Sequence, residues 1–122
     1  MREIAETLAF GLRSHLPPEI GIDVSGTTLR IASKVSKQSG GVDLADFIHE
    51  DDDAEGVAFA SERVLDAIQD FVATELRTPW PLAGDHRNEL PLPQAQQVGE
   101  VVIARYFWAD GEALDIASIP NS

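Results

Sequence analysis

Hydrophobic residues recur at helical spacing in two segments of the chain and at alternate positions in a third. Residues 1–16 place isoleucine or leucine at every fourth position, which is typical of an amphipathic helix that ends before Pro17. Residues 57–76 keep helical spacing and form the longest predicted helix. Residues 20–32 alternate apolar and polar positions around Gly26, which predicts a β-hairpin with one solvated face.

The last part of the chain predicts a second hairpin. Residues 101–108 carry the strongest strand signal, and Asp110-Gly111 separates them from a second alternating run that ends near Ile119. On a tight two-residue turn, one face carries Val101, Ile103, Arg105, Phe107, Leu114 and Ile116. The other face carries Val102, Tyr106, Trp108 and Ile119. Because both faces are partly apolar, we expect cover on both sides, from residues 79–97, from a helix or from a second subunit.

Three segments connect or flank these elements. Residues 33–41 are rich in serine and glycine and predict a mobile loop, whereas residues 42–48 fit either a short third strand or a turn of helix. Residues 79–97 hold four of the seven prolines and predict an extended connection across the surface. Phe59 falls on the charged side of the long helix, so either the preceding segment covers it or the helix has not yet begun there.

The order of elements predicts a single α+β domain over residues 1–122. It reads helix, two or three strands, long helix, two strands, which favours a two-layer fold with an antiparallel sheet and the helices on one face. In element order, size and acidity, the chain is similar to small cytosolic secretion-chaperone-like and regulatory domains. That resemblance implies binding of protein partners without catalysis.

The net charge of −12 changes which partners are expected. Residues 43–75 hold eleven acidic residues against one basic residue, Arg63, so the charge belongs to the long helix and its approach. A surface of this sign repels phosphates and acidic lipids, which excludes nucleic acid and membrane surfaces as partners and favours a basic protein. The chain has no cysteine and no long apolar run, so we expect a protein of the reducing cytoplasm.

The acidic run before the long helix allows two interpretations. In the first, an aspartate caps the helix and the neighbouring carboxylates complement its dipole. In the second, Asp51, Asp53, Glu55 and Glu62 take the ligand positions of a calcium-binding loop of the EF-hand type, with Gly56 at the turn. Phe59 stands where that loop needs a polar ligand, and no second loop is present. Calcium, on the ligand spacing alone, is the alternative ligand, and no other cofactor is expected.

No catalytic motif occurs, and the three histidines lack metal-ligand spacing, so we expect a protein that is not an enzyme. The leading hypothesis is an acidic interaction module, either chaperone-like or a regulatory adaptor, that also forms a homodimer through the second hairpin or the first helix. The alternative is an inhibitor or immunity-type protein that mimics the charge of nucleic acid. The predicted partner-binding residues are Asp66, Asp70, Trp80, Tyr106 and Trp108.

The tryptophan near the proline-rich connection allows a second interpretation. Trp80 and the Leu-Pro repeat at residues 90–93 form either an exposed anchoring surface or a cover for the second hairpin. In the covering arrangement, Trp80 packs on Trp108 or Tyr106.

Overall fold

A computed structural model describes residues 2–48, 53–81 and 89–120. Within these ranges, the chain forms two α-helices and two three-stranded antiparallel sheets, which confirms the predicted α+β class. The elements are α1 (Arg2–Arg13), β1 (Ile20–Ser25), β2 (Thr28–Ser33), β3 (Ser39–Asp43), α2 (Ala54–Leu76), β4 (Leu92–Val98), β5 (Val101–Phe107) and β6 (Ala113–Pro120). Each sheet is a simple meander, β1-β2-β3 and β4-β5-β6.

The first sheet contains a strand where a loop was predicted. Ser33 ends β2, residues 34–38 turn, and β3 begins at Ser39, so only the middle of the segment 33–41 is a connection. Residues 42–48 combine both alternatives, because β3 ends at Asp43 and a 3₁₀ turn follows over Leu44–Asp46. Two glycines in β3 remove the alternating pattern from the sequence, and the backbone ladder with β2 forms nonetheless.

The second sheet corrects the predicted hairpin. Residues 108–112 form a longer connection closed by the Trp108 N–H, which donates to the Glu112 C=O at 2.9 Å, in place of a two-residue turn. Leu114 consequently lies opposite Tyr106, and a register shift beside Ala104 leaves Ile116 as an extra residue packed on α1. The predicted shared face was therefore wrong for Leu114 and Ile116.

The proline-rich connection supplies the third strand of this sheet. β4 covers residues 92–98 and pairs with β5 along its whole length. The segment 79–97 is extended where it is described, but it contributes a strand rather than only a surface connection. A proline and three glutamines in β4 hide its alternation from the sequence pattern.

One cluster of buried residues connects both helices with both sheets. The Tyr106 hydroxyl donates to the Leu65 C=O of α2 at 2.7 Å, and the Trp80 ring meets the Tyr106 ring edge-on at 5.7 Å between centroids. The indole N–H of Trp80 donates to the His15 C=O at 3.3 Å. These bonds give the polar groups of Trp80 and Tyr106 one partner each, and the ring contact confirms the arrangement in which Trp80 packs on Tyr106.

The second sheet presents one partly apolar face outward. Its inner face packs on the helices, while Leu92 and Val98 on the outer face are 68% and 47% exposed. Leu92 and Val98 lie at the two ends of this face. Between them, Arg105 Nε and Asp115 Oδ1 form an ion pair at 3.0 Å. Among the described elements, helices thus cover one face of the second hairpin, and a subunit on the other face stays a prediction. No described helix has the length and apolar character needed to cross a membrane.

Candidate functional site

At two of the four outer sheet edges, a side chain from a neighbouring element bonds an outward backbone group. At β1, the guanidinium of Arg13 donates to the C=O of Ile22 at 3.1 Å. At β4, the carboxylate of Glu62 accepts from the N–H of Ala95 at 2.9 Å, and Pro93 has no N–H. Edge groups satisfied in this way are protected from pairing with another strand.

A third edge lies against a helix. α1 packs on β6 so closely that a methyl group on Gly11 would overlap the C=O of Ile116. The fourth edge belongs to β3, where Ser39, Gly40 and Gly41 are exposed. Among the residues that the structure describes, no neighbouring element bonds the outward backbone groups of β3, so this edge is open to another strand.

The register determines which backbone groups of β3 point outward. The Leu44 N–H donates to the Thr27 C=O at 3.0 Å, and in an antiparallel ladder every second residue bonds the same neighbour. Gly40 and Val42 therefore direct their N–H and C=O groups towards β2. The residues that direct these groups towards the open side are Ser39, Gly41 and Asp43.

The long helix runs beside this open edge and is antiparallel to it. The Ser36 hydroxyl donates to the Glu75 carboxylate at 2.6 Å, and one helical turn earlier the Phe71 ring lies against Gly40. A Cβ atom at Gly40 would stand 3.4 Å from that ring. Strand and helix enclose a cavity of about 440 Å³, which we call the β3–α2 groove. Its helical wall consists of Ala67, Ile68, Asp70, Phe71, Thr74 and Glu75.

Carboxylates give the β3–α2 groove its charge. Asp70 and Glu75 line it from the helix, Asp66 lies one turn before Asp70 on the exposed side, and residues 38–42 of the strand side carry no charge. Arg63 precedes these three carboxylates on α2, and its guanidinium is 5.5 Å from the ring centroid of Phe59. The groove is therefore an anionic slot beside an unpaired strand edge.

Phe59 lies within α2 and is only partly covered. Its ring meets the ring of Phe47 edge-on, with 6.2 Å between centroids, so the segment before α2 covers one side of the ring, and the side chain remains 50% exposed. This contact continues the antiparallel course of α2 past the end of β3.

β3 ends at Asp43, whose carboxylate is held by two hydrogen bonds. The carboxylate of Asp43 accepts from the Thr27 hydroxyl at 2.6 Å and from the Ala45 N–H at 3.0 Å. These two hydrogen bonds, chiefly the bond from Thr27, lower the pKa of Asp43 below its ordinary value of 3.8. They fix the end of the strand edge and the start of the 3₁₀ turn.

Replacing Thr27 with valine is expected to raise the pKa of Asp43 towards 3.8, because the main bond to the charged form is lost. In the parent protein the charged Asp43 stabilises the fold above the unfolded pKa, and this contribution disappears as pH falls through the lower folded pKa. The valine variant should therefore lose less stability in that acidic window. Titration of the Asp43 carboxyl carbon by NMR measures the shift. Thr27→Ser keeps a hydroxyl and should keep the low pKa, and equal titration curves for parent and valine variant would contradict the assignment.

The predicted calcium ligands lie on and before α2. Asp53 is the N-cap of the helix and accepts from the Gly56 N–H at 3.3 Å, Glu55 is in the first turn, and Glu62 bonds β4. At about 1.5 Å per helical residue, the backbones of Asp53 and Glu62 lie roughly 13 Å apart, so the two side chains do not share an ion. Asp51 lies outside the described residues, within which no cluster of three or more metal-ligating side chains occurs. The capping interpretation is confirmed.

The predicted aromatic surface lies inside the protein. Trp80, Tyr106 and Trp108 are 3%, 0% and 2% exposed, so they offer almost no surface to a partner in this conformation. Asp70, by contrast, is exposed and lines the groove, and Asp66 is exposed one helical turn earlier on α2. Sequence reasoning missed the strand side of the groove, and the adjacent pair Gly40-Gly41 was the signal that could have indicated a close approach of another backbone.

Comparison with protein-family models, with curated proteins and with solved structures finds no match for this chain.

Proposed function

We propose that this protein is a non-catalytic interaction module that binds an extended segment of a partner protein at β3. The observation that carries this proposal is the open edge of β3, which directs the backbone groups of Ser39, Gly41 and Asp43 away from β2 and borders the β3–α2 groove. A segment that pairs with this edge would extend the first sheet by one strand and lie beside α2.

Two further features support strand addition at this edge. Gly40 and Gly41 leave the edge without bulky side chains, so another backbone can approach closely. The edge also lacks three common protective devices, since no proline, lysine or bulge occurs in β3. The absence of cysteine suits a reducing compartment, and we expect the protein to act in the cytoplasm.

The proposed function is tested by selecting peptides from a displayed library of random decapeptides. Each selected peptide is then titrated into the ¹⁵N-labelled protein and followed by NMR. We expect the largest amide shifts at Ser39, Gly41 and Asp43, because their N–H groups would form the new ladder.

The partly apolar outer face of the second sheet is the internal reference for this experiment. Failure to select any binding peptide would contradict the proposed function. Shifts centred on Leu92 and Phe107 would contradict it equally, because binding would then occur on the outer face of the second sheet.

A further inference from the structure

We propose that the segment bound in the β3–α2 groove carries lysine or arginine at two alternate positions whose side chains point towards α2. This inference rests on the proposed function and specifies the chemistry of the partner. It is carried by the register of β3, the antiparallel course of α2 and the placement of Asp66 and Asp70.

The register of β3 determines which side chains of an added strand face the helix. Ser39 and Gly41 share the outer face of the first sheet, whereas Gly40 and Val42 share the inner face with Ile31. Side chains of paired strands that lie opposite each other point to the same face. Residues of the added strand opposite Gly40 and Val42 therefore direct their side chains into the groove.

The spacing of these two positions matches the spacing of residues on α2. Alternate residues of a strand are about 6.7 Å apart, and helical residues four positions apart are separated by about 6 Å along the axis. Phe71 lies level with Gly40, so the position opposite Gly40 lies level with Phe71 and Asp70. The position opposite Val42 then lies level with Ala67 and Asp66.

Each of these two levels offers an apolar surface and a carboxylate. Phe71 and Ala67 are partly buried hydrophobic residues that line the groove, Asp70 lines it next to Phe71, and Asp66 is the exposed residue that precedes Ala67 on α2. Lysine and arginine match this combination because their aliphatic stems cover apolar surface while the charged group reaches outward. Gly40 has no side chain, so the Phe71 ring lies directly against the strand edge at this level.

The same chemistry disfavours other occupants. An acidic segment would place like charges beside Asp70 and Glu75. A second copy paired through its own β3 would bring residues 39–43, which contain no basic residue, into the groove of a molecule with net charge −12. A cationic segment of another protein is the occupant that the groove fits.

Three synthetic octapeptides of defined spacing test the inference by fluorescence anisotropy. The first alternates lysine and threonine, the second has the same composition in blocks of two lysines and two threonines, and the third alternates glutamate and threonine. We expect the alternating lysine peptide to bind about five-fold or more tightly than the blocked peptide, and the glutamate peptide not to bind. Equal binding of the two lysine peptides would overturn the spacing argument.

Neutralising the two carboxylates tests the assignment to α2. The double variant Asp66→Asn, Asp70→Asn should weaken binding of the alternating lysine peptide about ten-fold, and most of this difference should disappear at 1 M salt. Glu100→Gln removes one negative charge in the exposed β4–β5 turn and should leave the affinity unchanged within about two-fold. An unchanged affinity in the double variant would overturn the inference.

These outcomes separate the inference from the proposed function. If library-selected peptides shift the β3 amides but have no alternate basic residues, the inference is wrong and the proposed function stands. If no peptide shifts these amides, both fail. A dimer of the free protein in sedimentation experiments that becomes monomeric in the Gly41→Pro variant would also overturn the inference, because a second copy would then occupy the edge.

Discussion

Replacing Gly11 with alanine is expected to lower the free energy of unfolding by about 2 kcal/mol or more, because the new methyl group overlaps the backbone of Ile116. Alanine in a helix is intrinsically better than glycine by about 0.5–1 kcal/mol, which only partly offsets this loss. The neighbouring atoms belong to a strand backbone and cannot rotate away, so α1 must move off β6. Urea denaturation of both proteins measures the difference.

Gly21→Ala provides the matched control for this substitution. Gly21 lies in β1 with an open position for a Cβ atom, since no heavy atom would come within 4 Å of it. We expect its free energy of unfolding to stay within about 0.5 kcal/mol of the parent value. If the Gly11 variant were as stable as the Gly21 variant, the close packing of α1 on β6 would be wrong.

The contact between α1 and β6 illustrates which parts of the fold could be predicted from the sequence. The helical spacing of leucines predicts α1, and the alternation after Gly111 predicts β6. Their packing depends on residues far apart in sequence, so no local pattern contains it. Gly11 is the residue in the α1 sequence that indicates this contact, because a residue without a side chain permits the close approach of another backbone.

The full extents of β3 and β4 could not be predicted because their pairing does not depend on side-chain alternation. β3 contains Gly40 and Gly41, and β4 contains Pro93 among glutamines, so neither has a regular apolar face. Their ladders are formed by backbone hydrogen bonds to β2 and β5, which are strongly patterned strands. Weakly patterned segments are thus ordered by the strong strands beside them.

In the candidate site, too, one part could be predicted from the sequence and the other depends on contacts between distant segments. Asp66 and Asp70 could be identified from the charge distribution, because exposed acids on a long helix follow from its apolar stripe. The open strand edge beside them follows from the strand order, in which β3 is terminal and α2 runs alongside. The charged wall of the groove, on α2, could therefore be predicted from the sequence, whereas its hydrogen-bonding wall, on β3, depends on the strand order.

Replacing Gly41 with proline is expected to weaken peptide binding at β3 about thirty-fold. Proline removes the outward N–H at the centre of the edge, and its ring occupies the place where a carbonyl group of the added strand would lie. A lost hydrogen bond together with an unsatisfied carbonyl corresponds to about 2 kcal/mol. Because this N–H points away from β2, the ladder of the first sheet is kept, and thermal unfolding should show a folded variant.

Gly41→Ala separates the loss of the N–H from the presence of a side chain. A Cβ atom at this position would contact the Leu29 C=O at 3.4 Å and the Thr28 methyl group at 3.6 Å, which are ordinary distances. The alanine variant keeps the outward N–H, so its affinity for the selected peptides should stay within about two-fold of the parent value. Weak binding by both variants would mean that the peptide contacts the face of β3, and unchanged binding by both would mean that it does not use this strand. Only a loss confined to the proline variant identifies backbone pairing at the open edge.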